Sequence, residues 1–449
     1  MREVLLHDTL TGKLLALNPR DPGRVGIYAC GPTVYSRIHI GNARPFVVFS
    51  LLTRFLEHEG YAATLVINIT DVNDKIYDAA RAQDRDSADL AAEMTELYRA
   101  DTDGLALGRP DHEPLASETM GAIVDYIATL IARGHAYPAD GDVYFRVRSD
   151  DGYGSLSHRR LENMDQGEGV DGTHRKEDPL DFALWKAHKP GEDTVWESPW
   201  GPGRPGWHIE CSAMAEEFLG VGFDVHGGGS DLVFPHHENE AAQTRAARGE
   251  ELAKLWMHNG MIQFTGEKMA KSVGNIAPLH EVLARYGAEA VVMYLVSGHY
   301  RQPLAFSDAA LAQAQANVSR IREVGRRLSP NESPADLERL RDSFFDALAR
   351  DFNTAEALAV LNEWLREASS RERDAPGDSH LREMLGVLGL ETLLAPDEQA
   401  PEDVRKLAGL RERARGERDF AAADRLRDEI AGLGWVVRDG ADGFELLPL

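Results

Sequence analysis

The stretch that decides the fold of this chain is RVGIYACGPTVYSRIHIGN, residues 24–42. Its first seven residues are mostly apolar and predict a short buried strand. An amphipathic helix follows, with apolar side chains at i, i+3, i+4 and i+7: Val48, Leu51, Leu52 and Phe55. Residues 63–69 then predict a second strand. A strand, a helix and a strand in this order predict a β-α-β unit and therefore a parallel sheet.

The size and charge of the chain restrict what it can do. It has 449 residues, an apolar fraction of 43% and a formal net charge of −25, which predict several globular domains with sizeable cores. No apolar run approaches the ~20 residues that cross a bilayer, so we expect no membrane partner. The acidic charge argues against indiscriminate nucleic-acid binding. It does not exclude a specific RNA partner, because such binding depends on local basic patches.

The chain has two cysteines, Cys30 and Cys211, which are too few for a disulfide framework and favour a reducing cytoplasm. Cys211 lies in WHIECSAM, residues 207–214, and the imidazole- and carboxylate-rich segment HGGGSDLVFPHHENE follows at 226–240. Two thiolates, an imidazole and a carboxylate are a plausible set of zinc ligands. The sequence therefore predicts a metal site shared by both cysteines.

A helix explains how the 226–240 segment could supply two of these ligands. Pro235 is a good first-turn residue, which would place His236 and Glu240 one helical turn apart on one face. On spacing alone, His237 and Glu238 could serve instead.

Two short motifs are typical of phosphate binding. HIGN, residues 39–42, lies where the first strand leads into the helix, and free N–H groups there favour phosphate. KMAKS, residues 268–272, places two lysines on a glycine-flanked loop. Two similar patterns are weaker. Residues 167–172 fit G-x-G-x-x-G without the required strand and helix. Residues 223–226 predict a strand that leads into a turn at the following glycines. The segment 226–229 lacks the Lys-Ser/Thr ending of a P-loop, and we expect its backbone to lie against a nucleotide.

Together these segments resemble the class I aminoacyl-tRNA synthetases, and within them the cysteinyl-tRNA synthetase family. The class motifs match residues 39–42 and 268–272. The matches to the cysteine-specific family are CGPTVY (30–35), NITDVNDK (68–75), GWHIECSAM (206–214), the 226–240 segment and DFAAADRLRD (419–428). The resemblance extends essentially over the whole chain.

The resemblance implies an α/β fold: a parallel-sheet, Rossmann-like catalytic domain with an insertion, then an α-helical bundle and a small α/β C-terminal domain. The implied segments are the two halves of the catalytic domain (1–135 and 207–250), a connective insertion (136–206), a lysine-loop domain (251–305), a tRNA-binding helical bundle (306–395) and an anticodon-binding domain (396–449).

The resemblance also implies the chemistry: ATP and L-cysteine form cysteinyl-adenylate, and the acyl group moves to the cognate tRNA. The implied ligands of one Zn²⁺ per chain, which select His236 over His237, are Cys30, Cys211, His236 and Glu240. The implied catalytic and ATP-binding residues, acting with Mg²⁺, are His39, Gly41, Asn42, Gly228, Lys268, Lys271 and Ser272. The implied amino-acid pocket contains Thr33, Thr70, Trp207 and Asp231. Because a zinc–thiolate bond can reject serine, we expect no editing domain.

Two departures from the family pattern bear on activity. Asn42 stands where the family usually has histidine, and Ala270 replaces the serine of the lysine loop; we expect a modest effect on rate. The resemblance places anticodon recognition at Arg415, Phe420, Asp424 and Asp439, where Phe420 could stack on a base. We expect a cytoplasmic monomer.

Two alternatives remain open. A cysteine ligase of the mycothiol pathway would share the adenylating half and use an amino-sugar acceptor, but it needs no tail after residue 400. A non-catalytic RNA-binding relative is the other alternative, and the retained lysines and metal ligands argue against it.

Overall fold

The computed structural model describes residues 2–164, 173–264, 267–268, 277–371, 376–395, 400–440 and 443–448. The chain divides into two compact units, Met1–Leu393 and Leu394–Leu449. Within the described ranges, no helix combines the length and apolar character that spanning a membrane requires. The boundaries of the smaller segments predicted above stay predictions.

Strands and helices alternate in the first part of the chain, and helices dominate after residue 307. The strands are β1 (Leu5–Asp8), β2 (Lys13–Ala16), β3 (Arg24–Ala29), β4 (Ala62–Ile67), β5 (Ala136–Ala139), β6 (Asp142–Phe145), β7 (Phe182–Ala187), β8 (Gly203–Pro205), β9 (Phe223–Gly229), β10 (Ala253–Asn259), β11 (Ile262–Phe264), β12 (Glu267–Lys268), β13 (Leu304–Phe306), β14 (Trp435–Gly440) and β15 (Gly443–Pro448). The helices are α1 (Ile40–His58), α2 (Asp74–Ala82), α3 (Ser87–Asp103), α4 (Met120–Ala132), α5 (Trp207–Leu219), α6 (Glu238–Arg248), α7 (Leu279–Tyr286), α8 (Ala288–Leu295), α9 (Asp308–Gly325), α10 (Glu338–Ala349), α11 (Thr354–Ser369), α12 (Ser379–Val387), α13 (Glu402–Gly416) and α14 (Phe420–Gly432).

The centre of the first unit is a parallel sheet with strand order β10-β9-β3-β4. The predicted β3-α1-β4 unit forms one half of it, and the apolar face predicted for α1 is fully or almost fully buried. Strands β9 and β3 are neighbours although about 200 residues separate them, which exceeds any local βαβ connection. The parallel sheet with covering helices confirms the predicted α/β class.

The chain segment between β4 and β9 contains a separate antiparallel sheet with strand order β5-β6-β7-β8. Its inner face packs Phe145, Phe182 and Trp185 against residues of α4, α5 and α6 in one apolar cluster. This packing joins the insertion to the helices that flank the parallel sheet.

The rest of the first unit begins with a small sheet of order β12-β11-β13, in which β11 pairs with both neighbours. Helices α9 to α12 follow. The second unit is a helical hairpin, α13 and α14, followed by the antiparallel β14–β15 hairpin that closes between Gly440 and Gly443. Its core contains Val404, Ala408 and Ile430.

Two local predictions were wrong in detail. Helix α6 begins at Glu238 and not at Pro235, because Phe234 is extended (φ −140°, ψ 133°) and interrupts the turn over Val233–His237. The glycines after His226 do not form a turn but complete β9. A Cβ at Gly227 would lie 2.0 Å from Cζ of Phe49 in α1, so the glycine allows the helix to approach the strand closely.

Candidate active site

The four predicted metal ligands meet at the carboxyl end of the parallel sheet. Cys30 follows β3, Cys211 lies in α5, and His236 and Glu240 flank the start of α6. Their ligand atoms all lie within 4.8 Å of one another, and all four residues are buried. His236 Nε2 is 3.1 Å and Cys30 Sγ is 3.6 Å from Glu240 Oε1. His236 and Glu240 still lie together despite the later start of α6, because His237, just before the helix, already has helical backbone angles (φ −69°, ψ −31°).

A second set of four, Cys30, His226, His237 and Glu240, satisfies the same distance limit. His226 Nε2 lies 2.8 Å from Glu240 Oε2, and His237 Nε2 lies 3.3 Å from Cys30 Sγ. The His237 ring also contacts His258, with 2.7 Å between Nδ1 and Nε2. The sequence analysis singled out neither the His226 side chain nor His258 as part of the metal cluster. Both stand in adjacent strands, and only the pairing of β9 with β10 brings them together.

Burial controls the charge of these groups. It lowers the pKa of His236 and His237 well below the usual value, and lowers the pKa of His258 to about 3. The rings are therefore neutral at pH 7, and a neutral imidazole can ligate a metal. Burial also raises the pKa of the Cys30 thiol and of the Glu240 carboxyl. A bound divalent cation would favour the ionised forms. Two thiols, an imidazole and a carboxyl in a dry site fit tetrahedral zinc.

A cavity of about 290 Å³ opens beside Cys30. Side chains from the predicted metal, phosphate and amino-acid sites share its lining. Those residues are Cys30, Thr33, His39, Gly41, Asn42, Trp207 and Asp231. One candidate metal ligand, Cys30, and the phosphate motif thus line a single cavity.

Two residues predicted to bind the amino acid or ATP, Thr70 and Gly228, are absent from this lining. Thr70 is 1% exposed. Its backbone hydrogen-bonds to the residues on either side of Thr33: the Thr70 oxygen accepts from Val34 N at 3.1 Å, and the Thr70 N–H donates to Pro32 O at 3.0 Å. Gly228 is buried in β9, where an added Cβ would lie 3.0 Å from Leu232. The neighbouring Gly229 lines the cavity instead.

The phosphate motif is held by a capping box at the start of α1. Nδ1 of His39 accepts from Gly41 N at 3.0 Å, so the neutral ring carries its hydrogen on Nε2. Oδ1 of Asn42 accepts from His39 N at 3.1 Å, which leaves the amide hydrogens of Asn42 for a ligand. Both side chains can therefore donate to phosphate while their other atoms hold the turn.

The lysine motif lies partly outside the described residues. Lys268 is in β12 and pairs in register with Gln263 of β11. The predictions for Ala270, Lys271 and Ser272 fall on 269–276, outside the described residues.

Two further cations line the cavity and were not singled out from the sequence, Arg37 and Lys75. Arg37 pairs with buried Asp101 at 2.7 Å, and Lys75 Nζ lies 5.6 Å from the centre of the Tyr35 ring. Lys75 belongs to the NITDVNDK motif, which was the available signal.

In the second unit, Arg415 lies in the last turn of α13, and Phe420 and Asp424 lie one turn apart at the start of α14. Phe420 is 62% exposed, which leaves its ring accessible for stacking. Asp424 Oδ1 pairs with Arg427 at 3.1 Å. Asp439 lies in β14, in register with Phe444. These residues share one small unit, and their role in anticodon recognition stays a prediction.

Comparison with known proteins agrees with this geometry. Residues 16–316 match the family of class I (C) tRNA synthetase catalytic domains, and residues 397–445 match the cysteinyl-tRNA ligase anticodon binding domain. Among curated proteins, a cysteine–tRNA ligase of Alkalilimnicola ehrlichii is 46% identical over 98% of each chain. One of Caldicellulosiruptor saccharolyticus is 42% identical over 98% of this chain and 99% of its own.

Solved structures support the fold. Methionyl-tRNA synthetase of Mycobacterium tuberculosis, in complex with methionyl-adenylate, has a TM-score of 0.60 at 17% identity, covering 89% of this chain and 96% of its own. At that identity the likeness concerns the fold alone. The sequence matches span both units and nearly the full length of the relatives. The chain therefore belongs to the cysteine–tRNA ligase family of class I aminoacyl-tRNA synthetases.

Proposed function

We propose that this enzyme activates L-cysteine with ATP and transfers it to the cognate tRNA, with the substrate thiolate held by zinc at Cys30, Cys211, His236 and Glu240. The observation that carries this proposal is the shared cavity, which is lined by both Cys30 and the phosphate-binding turn of His39 and Asn42. A metal bound at Cys30 would stand beside the place where the reacting carboxylate and phosphate meet.

Zinc in this position would supply a bond to sulfur that serine cannot replace, which selects cysteine by a specific interaction and not by size. A site built around one such interaction can reject an analogue by roughly 10⁴–10⁵-fold. The dry surroundings support this assignment, since the four side chains are all buried.

The reaction needs no protein nucleophile. The cysteine carboxylate attacks the α-phosphorus of ATP, a P–O bond forms, and the bond to pyrophosphate breaks. Nε2 of His39, the amide of Asn42, Lys268 and Lys271 would donate to the phosphate oxygens, together with Mg²⁺. Gly41 allows close approach of the backbone. Thr33, Trp207 and Asp231 line the cavity and would orient the amino acid.

The second half-reaction moves the cysteinyl group from the adenylate to a hydroxyl of the terminal adenosine of tRNA, and AMP leaves. The match of residues 397–445 to an anticodon-binding family supports tRNA as the acceptor. Within that unit we propose Phe420 as a stacking residue because its ring is exposed. A monomeric state and a cytoplasmic location also stay predictions.

Two assays on one preparation test the proposal: cysteine-dependent ATP–pyrophosphate exchange, and transfer of labelled cysteine to tRNA of cysteine specificity. We expect both activities. Exchange without transfer to tRNA would contradict the acceptor and favour a small amine. Loss of both with zinc bound would favour a non-catalytic relative.

A further inference from the structure

Arg44 is a fully buried cation that ion pairing does not explain. Its exposed fraction is 0%, and it lies in α1 two residues after Asn42. Nη1 donates to the backbone oxygen of Gly260 at 2.6 Å and to that of Met261 at 3.4 Å, and Nη2 donates to that of His299 at 3.3 Å. The guanidinium therefore binds three backbone carbonyls from two segments that are distant in sequence.

Among the described residues no carboxylate acts on this guanidinium; burial and the Tyr294 phenol are the influences on its charge. Burial lowers the pKa of Arg44 to about 10, which still leaves it charged at pH 7. Burying a charge that meets only neutral partners costs free energy, and an apolar side chain of similar length would fill the same space without that cost. A role in packing alone does not account for an arginine here.

One of the three carbonyls that Arg44 binds belongs to Met261, which lines the active-site cavity, and the nearest belongs to the adjacent Gly260. Gly260 and Met261 connect β10 to β11, and Met261 lines the cavity together with Asn259 and Ile262. Strand β11 in turn pairs with β12, where Lys268 stands opposite Gln263. Arg44 thus connects the helix that begins with the phosphate turn to the strands that carry the lysine.

We infer that Arg44 is a positioning residue that sets the distance between the phosphate turn of α1 and the β11–β12 hairpin that carries Lys268. Arg44 has this role only if Asn42 and Lys268 bind phosphate as proposed above. Both groups must reach one triphosphate at the moment of attack, and a misplacement of about 1 Å can lower a rate by roughly 10²-fold. Since either group alone can still hold ATP, the loss falls mainly on kcat.

The first test is ATP–pyrophosphate exchange by Arg44→Met and Arg44→Lys in the full-length enzyme with zinc bound. We expect Arg44→Met to lower kcat by roughly 10²-fold, with a smaller change in KM for ATP and little change in KM for cysteine. Arg44→Lys keeps the charge but not the planar fork, so it recovers part of the loss. Equal changes in all three constants would overturn the inference.

The matched control is Arg54, in the same helix. It also donates to backbone carbonyls, those of Gly386 at 3.0 Å and Leu107 at 3.4 Å. Unlike Arg44 it pairs with a carboxylate, Glu391 at 3.2 Å, and it binds no carbonyl of a described residue that lines the cavity. Arg54→Met should keep kcat near that of the unmodified enzyme. A loss as large as that of Arg44→Met would mean that any carbonyl-binding arginine of α1 matters equally, which contradicts a specific role.

A double-mutant cycle with Lys268→Met separates positioning from general damage. If Arg44 acts through Lys268, the double variant should have a kcat close to that of Lys268→Met alone. Losses that multiply would overturn the inference. A Lys268→Met enzyme with unchanged kcat would instead contradict the proposed phosphate role of Lys268, and this inference with it.

A measurement without turnover keeps the test valid if Arg44→Met folds poorly. Amide hydrogen exchange at Gln263 and Phe264 in Arg44→Lys should be faster than in the unmodified enzyme, because β11 loses part of its anchor. Unchanged exchange at β11, in a variant with reduced kcat, would show that Arg44 acts by another route and would contradict the inference.

Discussion

Cys30 and Glu240 belong to both groups of four that could hold a metal, whereas Cys211 and His226 each belong to one. This difference allows single substitutions to identify the group that binds zinc. His226 contacts the far oxygen of Glu240, which is the position of a residue that orients a ligand.

We therefore predict that Cys211→Ser loses zinc and His226→Gln keeps it. A serine hydroxyl is a poor zinc ligand. The loss of zinc affinity should therefore exceed the roughly 10–100-fold that is typical when a residue hydrogen-bonded to a ligand is replaced. Metal analysis of the purified variants measures this directly. Zinc retained by Cys211→Ser and lost by His226→Gln would assign the metal to the other group.

Asn42 serves two purposes, since its oxygen caps α1 and its nitrogen is left for phosphate. Asn42→Ala should lower kcat/KM for ATP by about 10–100-fold, the range expected for one hydrogen bond to a charged group. Asn42→His should keep most activity because the ring can also donate. The control is Asn353→Ala, which removes the N-cap side chain of α11, far from the phosphate turn in sequence, and should leave exchange unchanged.

The close approach of α1 to β9 decides how the helix and the sheet fit together. Phe49 packs directly over Gly227, and both are buried in the same layer. We predict that Gly227→Ala destabilises the enzyme by about 1–3 kcal/mol, because the added methyl overlaps the ring. Urea unfolding at pH 7 measures the change in the free energy of unfolding.

A second substitution tests that explanation. Phe49→Leu in the Gly227→Ala background should restore part of the stability, so that the two effects are not additive. Gly121→Ala is the control: it lies in α4 with no heavy atom within 4 Å of an added Cβ, and alanine there should be neutral or stabilising by up to ~1 kcal/mol. Additive losses at Gly227 and Phe49 would contradict a direct clash.

Asp351 connects parts of the first unit that are far apart in sequence. It is 4% exposed, and Oδ1 accepts from His7 N at 2.9 Å and from Tyr300 OH at 2.8 Å. Oδ2 accepts from Arg301 Nε at 2.8 Å. Burial alone would raise the pKa of Asp351, but the hydrogen bonds from His299, Tyr300 and His7 outweigh it and lower the pKa.

A lowered pKa in the folded state gives stability that is present above the unfolded pKa and is lost as pH falls through the folded one. Asp351→Asn should therefore lower the free energy of unfolding by about 1–3 kcal/mol at neutral pH. The difference from the unmodified enzyme should shrink below about pH 4. Denaturation across this range is the measurement; a difference independent of pH would contradict the assignment. Asp308→Asn, an exposed aspartate paired with Arg285, should change stability little.

The phosphate turn was predictable from the sequence because its parts are local. His39, Gly41 and Asn42 are close in the chain, at the junction where the predicted strand leads into the predicted helix. The parallel sheet followed from apolar periodicity, and the family motifs indicated four candidate metal ligands, which the fold brings within 4.8 Å of one another. The resemblance of the motifs to the family, and not the residue spacing, favoured His236 over His237 as a metal ligand.

Tertiary structure alone decided the rest, because it concerns residues that share no local pattern. The contact of His226 with Glu240 depends on how β9 enters the sheet, and the choice of Gly229 over Gly228 depends on which face of that strand meets the cavity. In the sequence Arg44 is an ordinary helix residue, and only the fold brings its guanidinium to the backbone oxygen of Gly260. Sequence determines short-range spacing and periodicity, whereas side chains far apart in the chain become neighbours only when the strands pair.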